Sequence, residues 1–404
     1  MHDEFMNKVA KGSAVSPNAA RYLKAARDLV PLIEAEAEQM YAERRVSPKI
    51  VDAFRDAGLF WMAAPEALGG GGLRAAETMR IVETVAAADG STGWCLMALN
   101  GSVMIQSGFL PAAGASLLYG GERKQVTAGN AGPLGRATIV DGGIRVTGRW
   151  PFGSGSQFAD YIGGGVMMVD DQGTPLKTAD GAPDTRFAFA PRDQVTLEGG
   201  WDSFGLVGSS SQDYSMTDLF IPDELIQSTS APTPVRDEPI YKMGMWALAS
   251  AGHNALALGL ARSALREDAR LTENKKRMGY PVSVGEYPVF LAEFAKHDAD
   301  YQAARAYSLG IMDAAQDFAE REGHLTPELN SRALQAAVWS TKVAERVVRF
   351  AHLWSGSQSF QKGSRMGRIF LDMAIATQHV QVDDIGFVNN APALLASWME
   401  ADAG

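Results

Sequence analysis

Gly148-Arg149-Trp150-Pro151-Phe152-Gly153-Ser154-Gly155-Ser156-Gln157-Phe158-Ala159-Asp160-Tyr161 joins two strand-like segments through a run of small residues. Gly153 and Gly155 allow the backbone to approach another surface closely, and Ser154 and Ser156 bring hydroxyls to the same place. Local composition reads as a Gly/Ser turn within a β-region. The same residues also suit a loop packed against a flat cofactor, and the rest of the chain decides between the two.

Working outward, strand grammar runs from about residue 125. Short β-branched or apolar runs at 137–140, 144–147, 162–169, 186–190, 194–197 and 214–221 alternate with turns. Asp141-Gly142-Gly143 between the first two is a hairpin signal. Residues 226–238, with Pro232 and Pro234, read as a linker. On the N-terminal side the grammar is helical. Ser16-Pro17 and Ser47-Pro48 pair an N-cap with a first-turn proline. Helices are predicted over about 75–88 and 93–110, separated by Asp89-Gly90-Ser91-Thr92; the second is apolar all round and therefore buried. After Tyr241, apolar residues recur at helical spacing over 240–272, 284–321, 326–355 and 364–397, which reads as an antiparallel four-helix bundle. The expectation is an α+β chain, mostly α: an N-terminal helical domain over 1–122, a central β-domain over 123–230 and a C-terminal bundle over 231–404.

The chain has 404 residues, enough for two or three domains. Its formal net charge of −10, with no basic stripe, argues against a nucleic-acid partner. One cysteine, Cys95, excludes an intrachain disulfide and suits a reducing cytoplasm. The start, Met1-His2-Asp3-Glu4-Phe5, lacks signal-peptide character, and no apolar run approaches a membrane span. There is no GxGxxG opening a helix after a strand and no phosphate-binding GK[ST] loop. Gly153-Ser154-Gly155-Ser156 is GxSxG-like but lacks a strand-to-helix elbow. The histidines (His2, His253, His297, His324, His352, His379) show no metal-binding spacing, so no metal is expected. By position, His379 falls on the last long helix, His253 in an Ala-rich helix as a packed residue, and His297 at the surface. Lys275-Lys276-Arg277 follows a helix end, where cations are common, though such a cluster also suits a phosphate.

In order along the chain stand Pro65-Glu66-Ala67-Leu68-Gly69-Gly70, Ser91-Thr92-Gly93-Trp94, Pro133-Leu134-Gly135-Arg136-Ala137, the Gly148–Gly155 stretch, Trp201-Asp202-Ser203-Phe204-Gly205-Leu206-Val207-Gly208-Ser209-Ser210-Ser211-Gln212-Asp213-Tyr214 and Phe220-Ile221-Pro222. Together they resemble the acyl-CoA dehydrogenase superfamily over about residues 20–395. Within it they are more similar to the flavin-dependent monooxygenases, the oxygenase components of two-component aromatic hydroxylases. The resemblance implies a helical domain, a β-barrel-like domain and a four-helix bundle, usually assembled as a homotetramer.

Dehydrogenases of this family use a glutamate base from one of two places. One follows a Thr-Gln pair, where this chain reads Thr377-Gln378-His379-Val380-Gln381-Val382; the other lies at the start of the bundle, where residues 239–266 contain no Asp or Glu. Both are empty. The resemblance therefore implies a monooxygenase that takes reduced FMN or FAD from a separate reductase, uses O2, and acts on an aromatic or other hydrophobic small molecule. It places Ser154 against flavin N5 and His379 against substrate. It assigns Trp150, Phe152, Ser209, Ser210 and Ser211 to the flavin, Arg277 to its phosphate, and Trp94, Asn100 and Ser102 to the substrate side. The branch's usual histidine after the Ser-x-x-Trp motif is missing near Ser102, so N- or S-oxygenation stays open. Two other readings are a dehydrogenase or oxidase with an atypical base, and a non-catalytic flavin-binding protein.

Overall fold

The structure is a computed structural model and describes residues 15–401; Met1–Phe5, with His2, lie outside them. Helix α1 (Pro17–Glu43) starts where Ser16 Oγ accepts the Ala19 N–H at 3.1 Å. Helix α2 (Pro48–Asp56) follows Ser47. Helices α3 (Ala75–Ala88) and α4 (Gly90–Phe109) are divided by Asp89 alone. Asp89 is extended, which ends α3, and its carboxylate accepts the Thr92 N–H at 2.8 Å, which starts α4. Helix α4 is buried along nearly its whole length, as an all-apolar helix must be. Helix α5 is Ala112–Tyr119.

The strands β1 (Thr127–Val140), β2 (Gly143–Gly153), β3 (Tyr161–Met168), β4 (Thr185–Pro191), β5 (Thr196–Gly199), β6 (Gln212–Pro222) and β7 (Ile226–Ser228) form one sheet in the order β5-β6-β2-β1-β3-β4-β7. The β1–β2 hairpin turns where Val140 pairs with Gly143, and only the β1–β3 pair is parallel. Residues 226–228 are not linker: they pair with β4 as an edge strand. Trp150 stacks on Tyr214 at 5.5 Å, donates to the Gly165 carbonyl at 2.7 Å and is fully buried. A methyl added to Gly135 or Gly164 would meet its indole at 2.4–2.5 Å, so the glycines around it make room for that ring.

The bundle holds α6 (Met245–Thr272), α7 (Pro288–Glu322), α8 (Pro327–Ser355), α9 (Arg365–Ala376) and α10 (Ile385–Ala401). The fourth expected helix is thus two helices. Thr377 Oγ1 bonds back to the Ala374 carbonyl, His379 is extended, and its Nδ1 accepts the Gln381 N–H at 3.2 Å; Asp383 then accepts the Ile385 N–H and opens α10. These side-chain-to-backbone bonds compete with the helical ladder, while the apolar periodicity runs on through the break. His379 therefore sits on a short bend and not on a helix. His297, expected at the surface, is half-buried and stacks on Phe350 at 4.4 Å.

Candidate functional site

A cavity of about 740 Å³ lies where α4, the sheet, the start of α6 and the bend after α9 meet. Helix α4 contributes Trp94, Asn100 and Ser102; the irregular middle of β1 contributes Asn130–Pro133; the loop after β2 contributes Ser154. Register shifts between Asn130 and Gly135 turn that part of β1 out of the ladder. Asn130 fixes it, donating to the Pro151 carbonyl and accepting the Gly132 N–H.

Several non-glycine residues around the cavity hold a left-handed backbone: Phe152 (φ 65), Leu206 (φ 46) and Ser210 (φ 47). Such conformations cost of order 1–3 kcal/mol each and cluster where a function uses them. Phe152 is exposed and meets Trp201 edge-on at 6.4 Å. Gly153 has a steric cause: a methyl there would meet Tyr214 and the Gln212 carbonyl at 2.9 Å.

Four polar groups form one line. The Trp94 indole N–H donates to Ser154 Oγ at 2.9 Å; Ser154 Oγ is 2.7 Å from Ser211 Oγ, which is 2.8 Å from Ser209 Oγ. Ser209 is fully buried, and among the described residues its hydroxyl meets Ser211 alone. If the chain of donors ran from Ser154 toward Ser209, the Ser209 proton would be buried without an acceptor. Run the other way, Ser209 donates to Ser211 and Ser211 to Ser154, and Ser154 Oγ accepts two bonds while its own proton is free at the cavity wall. The cost of an unmet buried donor, about 1–3 kcal/mol, selects the second direction.

The imidazoles of His253 and His379 stack face to face at 4.0 Å, and the Trp94 ring meets both edge-on, at 5.6 and 5.8 Å. Burial lowers His379 to about 4, and burial with the neighbouring ring holds His253 well below the ordinary imidazole range. Both are neutral at physiological pH. Because His379 Nδ1 accepts from the Gln381 backbone, its proton lies on Nε2, and the ring serves as a hydrogen-bond donor rather than a base. His253 is as buried as an Ala-rich helix implied, but its partner is the other histidine, which spacing in sequence could not reveal. No Asp, Glu, Lys or Arg lines the cavity among the described residues.

The candidate residues divide cleanly. Trp94, Asn100, Ser102, Phe152, Ser154, Ser209, Ser211 and His379 all line the cavity. Trp150 does not; it is sheet core. Ser210 turns its hydroxyl to Gln157 and Gln212. Arg277 donates to the Leu353 and Trp354 carbonyls at the end of α8 and lies over the Trp354 ring, so its charge is spent on a helix terminus. Sequence reading missed His253, Trp201, Gln106 and Gln227, which line the cavity from elements far apart in the chain. Among the described residues no group of three metal-ligating side chains occurs and no helix is long and apolar enough to cross a membrane.

Residues 20–108 match the family model for the acyl-CoA dehydrogenase N-terminal domain, and residues 251–384 match that for the acyl-CoA dehydrogenase C-terminal domain. The chain is 26% identical to an indole-3-acetate monooxygenase of Pseudomonas putida, over 96% of each. It is 25% identical to the oxygenase component of an FADH2-dependent resorcinol hydroxylase of Rhizobium, over 87% of this chain and 88% of that one. Among solved structures it resembles XiaF from Streptomyces, determined with FADH2 and glycerol, with a TM-score of 0.84 at 18% identity, over 94% of this chain and 96% of that one.

Proposed function

Since the chain belongs to the acyl-CoA dehydrogenase superfamily, we propose that it is one of the superfamily's flavin-dependent monooxygenases, in which reduced FMN or FAD from a separate reductase, together with O2, oxygenates an aromatic or other hydrophobic small molecule in the cavity beside Trp94 and His379. The observation that carries this is the cavity wall: mostly apolar and rich in aromatic rings and, among the described residues, without a carboxylate. Removal of a proton α to a thioester needs a base there; among the described residues the wall offers no carboxylate, and the acceptor nitrogen of His379 is occupied by a backbone N–H.

The unspent Ser154 proton and the aromatic rim of the wall support a flavin ring here. Phe152, Ser154, Ser209 and Ser211 would hold it, and Trp150, Ser210 and Arg277 are left to the fold. When bound, the flavin supplies two electrons and activates O2, so that one oxygen atom enters the substrate and the other leaves as water. The chain's own contribution is positional. Trp94 and Ser211 both donate to Ser154, which leaves the Ser154 O–H to bond the ring. His379 Nε2–H would orient an oxygen acceptor bound beside it. The apolar wall keeps water from diverting the reaction. We further propose a division at residues 122/123 and 230/231, a homotetramer, and a cytoplasmic location, which the single buried cysteine suits.

The test mixes purified protein and reduced flavin with ¹⁸O2 across phenols, indoles and sulfur heterocycles, with products read by mass spectrometry. One ¹⁸O per product is expected. Bleaching of bound FAD by an acyl-CoA, with no labelled product from any member of the panel, would instead show a dehydrogenase.

A further inference from the structure

Asp372 of α9 is a buried carboxyl outside the cavity. Its Oδ1 accepts the Leu206 N–H at 2.6 Å. Leu206 is itself buried and left-handed (φ 46), a backbone that a leucine holds only where its surroundings impose it. Two glycines let the carboxyl reach it. A methyl on Gly205 would meet the Leu371 carbonyl at 2.0 Å, and one on Gly90 would meet Asp372 Oδ2 at 2.4 Å. From Leu206 the chain turns at once through Val207–Ser209 to Ser211, so the anchor leads straight into the buried end of the serine line. The same turn is tied to two other elements: the Gly208 N–H donates to Ser91 Oγ at 3.1 Å, and the Gly208 carbonyl accepts the Val46 N–H at 3.0 Å.

The charges around Asp372 favour its neutral form. Asp89, between α3 and α4, shares with it a small cavity of about 30 Å³, and the cations of that cavity are committed elsewhere. Arg365 bonds Glu34 of α1 and the Ala87 carbonyl, and Arg368 donates to the Gly363 carbonyl. Burial first, and Asp89 second, push the Asp372 carboxyl up to about 8 from an ordinary 3.8. A carboxyl that keeps its proton holds the Leu206 N–H without setting a second anion beside Asp89. When residues 205–211 lift and water reaches the group, the proton leaves at the ordinary value. The closed segment therefore holds one proton more than the open one between those pH values. Anchoring is complete below about 3.8 and is lost as pH rises to about 8. His379 varies in the opposite sense, and its contribution is already complete above pH 6.5.

We infer that Asp372, held as a neutral acid, is a positioning residue: through Leu206 it fixes residues 205–211 and with them the Ser209–Ser211–Ser154 line. What that line does for a flavin rests on the monooxygenase reading; the anchoring itself does not.

The test uses the full chain with Asp372→Asn, which keeps an Oδ1 acceptor and carries no charge, and Asp372→Leu, which keeps the bulk and loses the acceptor. Backbone amide exchange of peptides spanning 205–211 is followed without flavin from pH 6.5 to 8 and corrected for the intrinsic pH dependence of exchange. Protection in the unaltered chain should fall about tenfold per pH unit, and in Asp372→Asn by no more than about twofold over the whole range. At pH 6.5, Asp372→Leu should lose about tenfold in protection and about tenfold in affinity for reduced FMN or FAD under argon, while Asp372→Asn stays within about twofold in both. If the leucine variant fails to fold, the asparagine comparison decides alone. Three results overturn the inference: protection independent of pH in the unaltered chain, an Asp372→Asn variant with the same slope, or a folded Asp372→Leu variant as well protected or binding reduced flavin as tightly. A chain that exchanges as expected but binds neither reduced flavin sinks the monooxygenase reading and leaves the anchoring in place.

Discussion

Replacing Ser154 by alanine tests whether its proton serves the proposed flavin or only the packing around it. In the folded chain Ser154 Oγ accepts the Trp94 N–H at 2.9 Å and bonds Ser211 at 2.7 Å. Ser154→Ala leaves the Trp94 N–H, on a buried side chain, without an acceptor, which costs about 1–3 kcal/mol, and removes a hydroxyl pair worth about 1 kcal/mol. Ser211→Ala costs a similar amount, because the fully buried Ser209 proton then has no acceptor. The two variants should therefore unfold at similarly reduced urea concentrations. Their chemistry should differ. Ser154→Ala deletes the free O–H, and losing one such bond of about 1.4 kcal/mol is tenfold in a rate. Ser211→Ala leaves Ser154 held by Trp94 with its proton still free. The assay is the share of consumed reduced flavin that ends as hydrogen peroxide rather than oxygenated substrate. Ser154→Ala should raise the ratio of peroxide to product about tenfold, and Ser211→Ala by no more than about twofold. Equal uncoupling in the two variants would refute the reasoning, because the defect would then follow stability and not the proton.

Trp150→Ala should destabilise the chain by about 3–5 kcal/mol, because a fully buried indole leaves a cavity over its glycines, with Trp150→Phe intermediate; urea unfolding measures both. Phe152→Gly should raise stability by about 1 kcal/mol, by relieving the left-handed backbone at φ 65, while weakening reduced-flavin binding in an anaerobic titration. For His379, a folded value of about 4 against an ordinary 6.5 means that the unfolded chain binds more protons between those pH values. Its contribution to stability is complete above pH 6.5 and is lost as pH falls toward 4; melting temperatures from pH 4 to 8 should show this slope, reduced in His379→Gln. Activity should likewise show no acid limb near pH 6.5.

What was legible in the sequence was whatever local grammar encodes. Asp89 announces a helix end and a helix start in one residue, and Asp141-Gly142-Gly143 announces a hairpin. Periodicity marked the bundle helices but hid the break at 377–384, since Thr377, His379 and Asp383 interrupt the ladder through side-chain bonds that leave the apolar spacing intact. The strand at Ile226–Ser228 was hidden because three residues are too few to show an alternation, and its evidence is its partner, β4. Trp150, which the resemblance assigned to the flavin, lies in the sheet core of this chain. Period-2 geometry puts Phe152 on the same side of the strand as Trp150 only while the strand is regular, and the left-handed turn at Phe152 sends that ring outward instead.

The histidine pair shows why the missing carboxylates carry more weight than any motif. A cavity holding a glutamate needs either a paired cation or a raised carboxyl pKa, and either way it carries a titrating charge at its centre. Here that centre is two stacked imidazoles, one of which has its acceptor nitrogen occupied by a backbone N–H. Protonating either ring places a charge 4.0 Å from the other, in a wall that among the described residues has no anion to balance it. The pair therefore resists the charge that general-base chemistry would create, and offers an Nε2–H donor in its place. Any polar partner bound beside it must accept that proton's hydrogen bond without drawing the proton away. That requirement suits an oxygen acceptor, and with Nδ1 occupied by a backbone N–H, His379 has no free lone pair with which to take an α-proton.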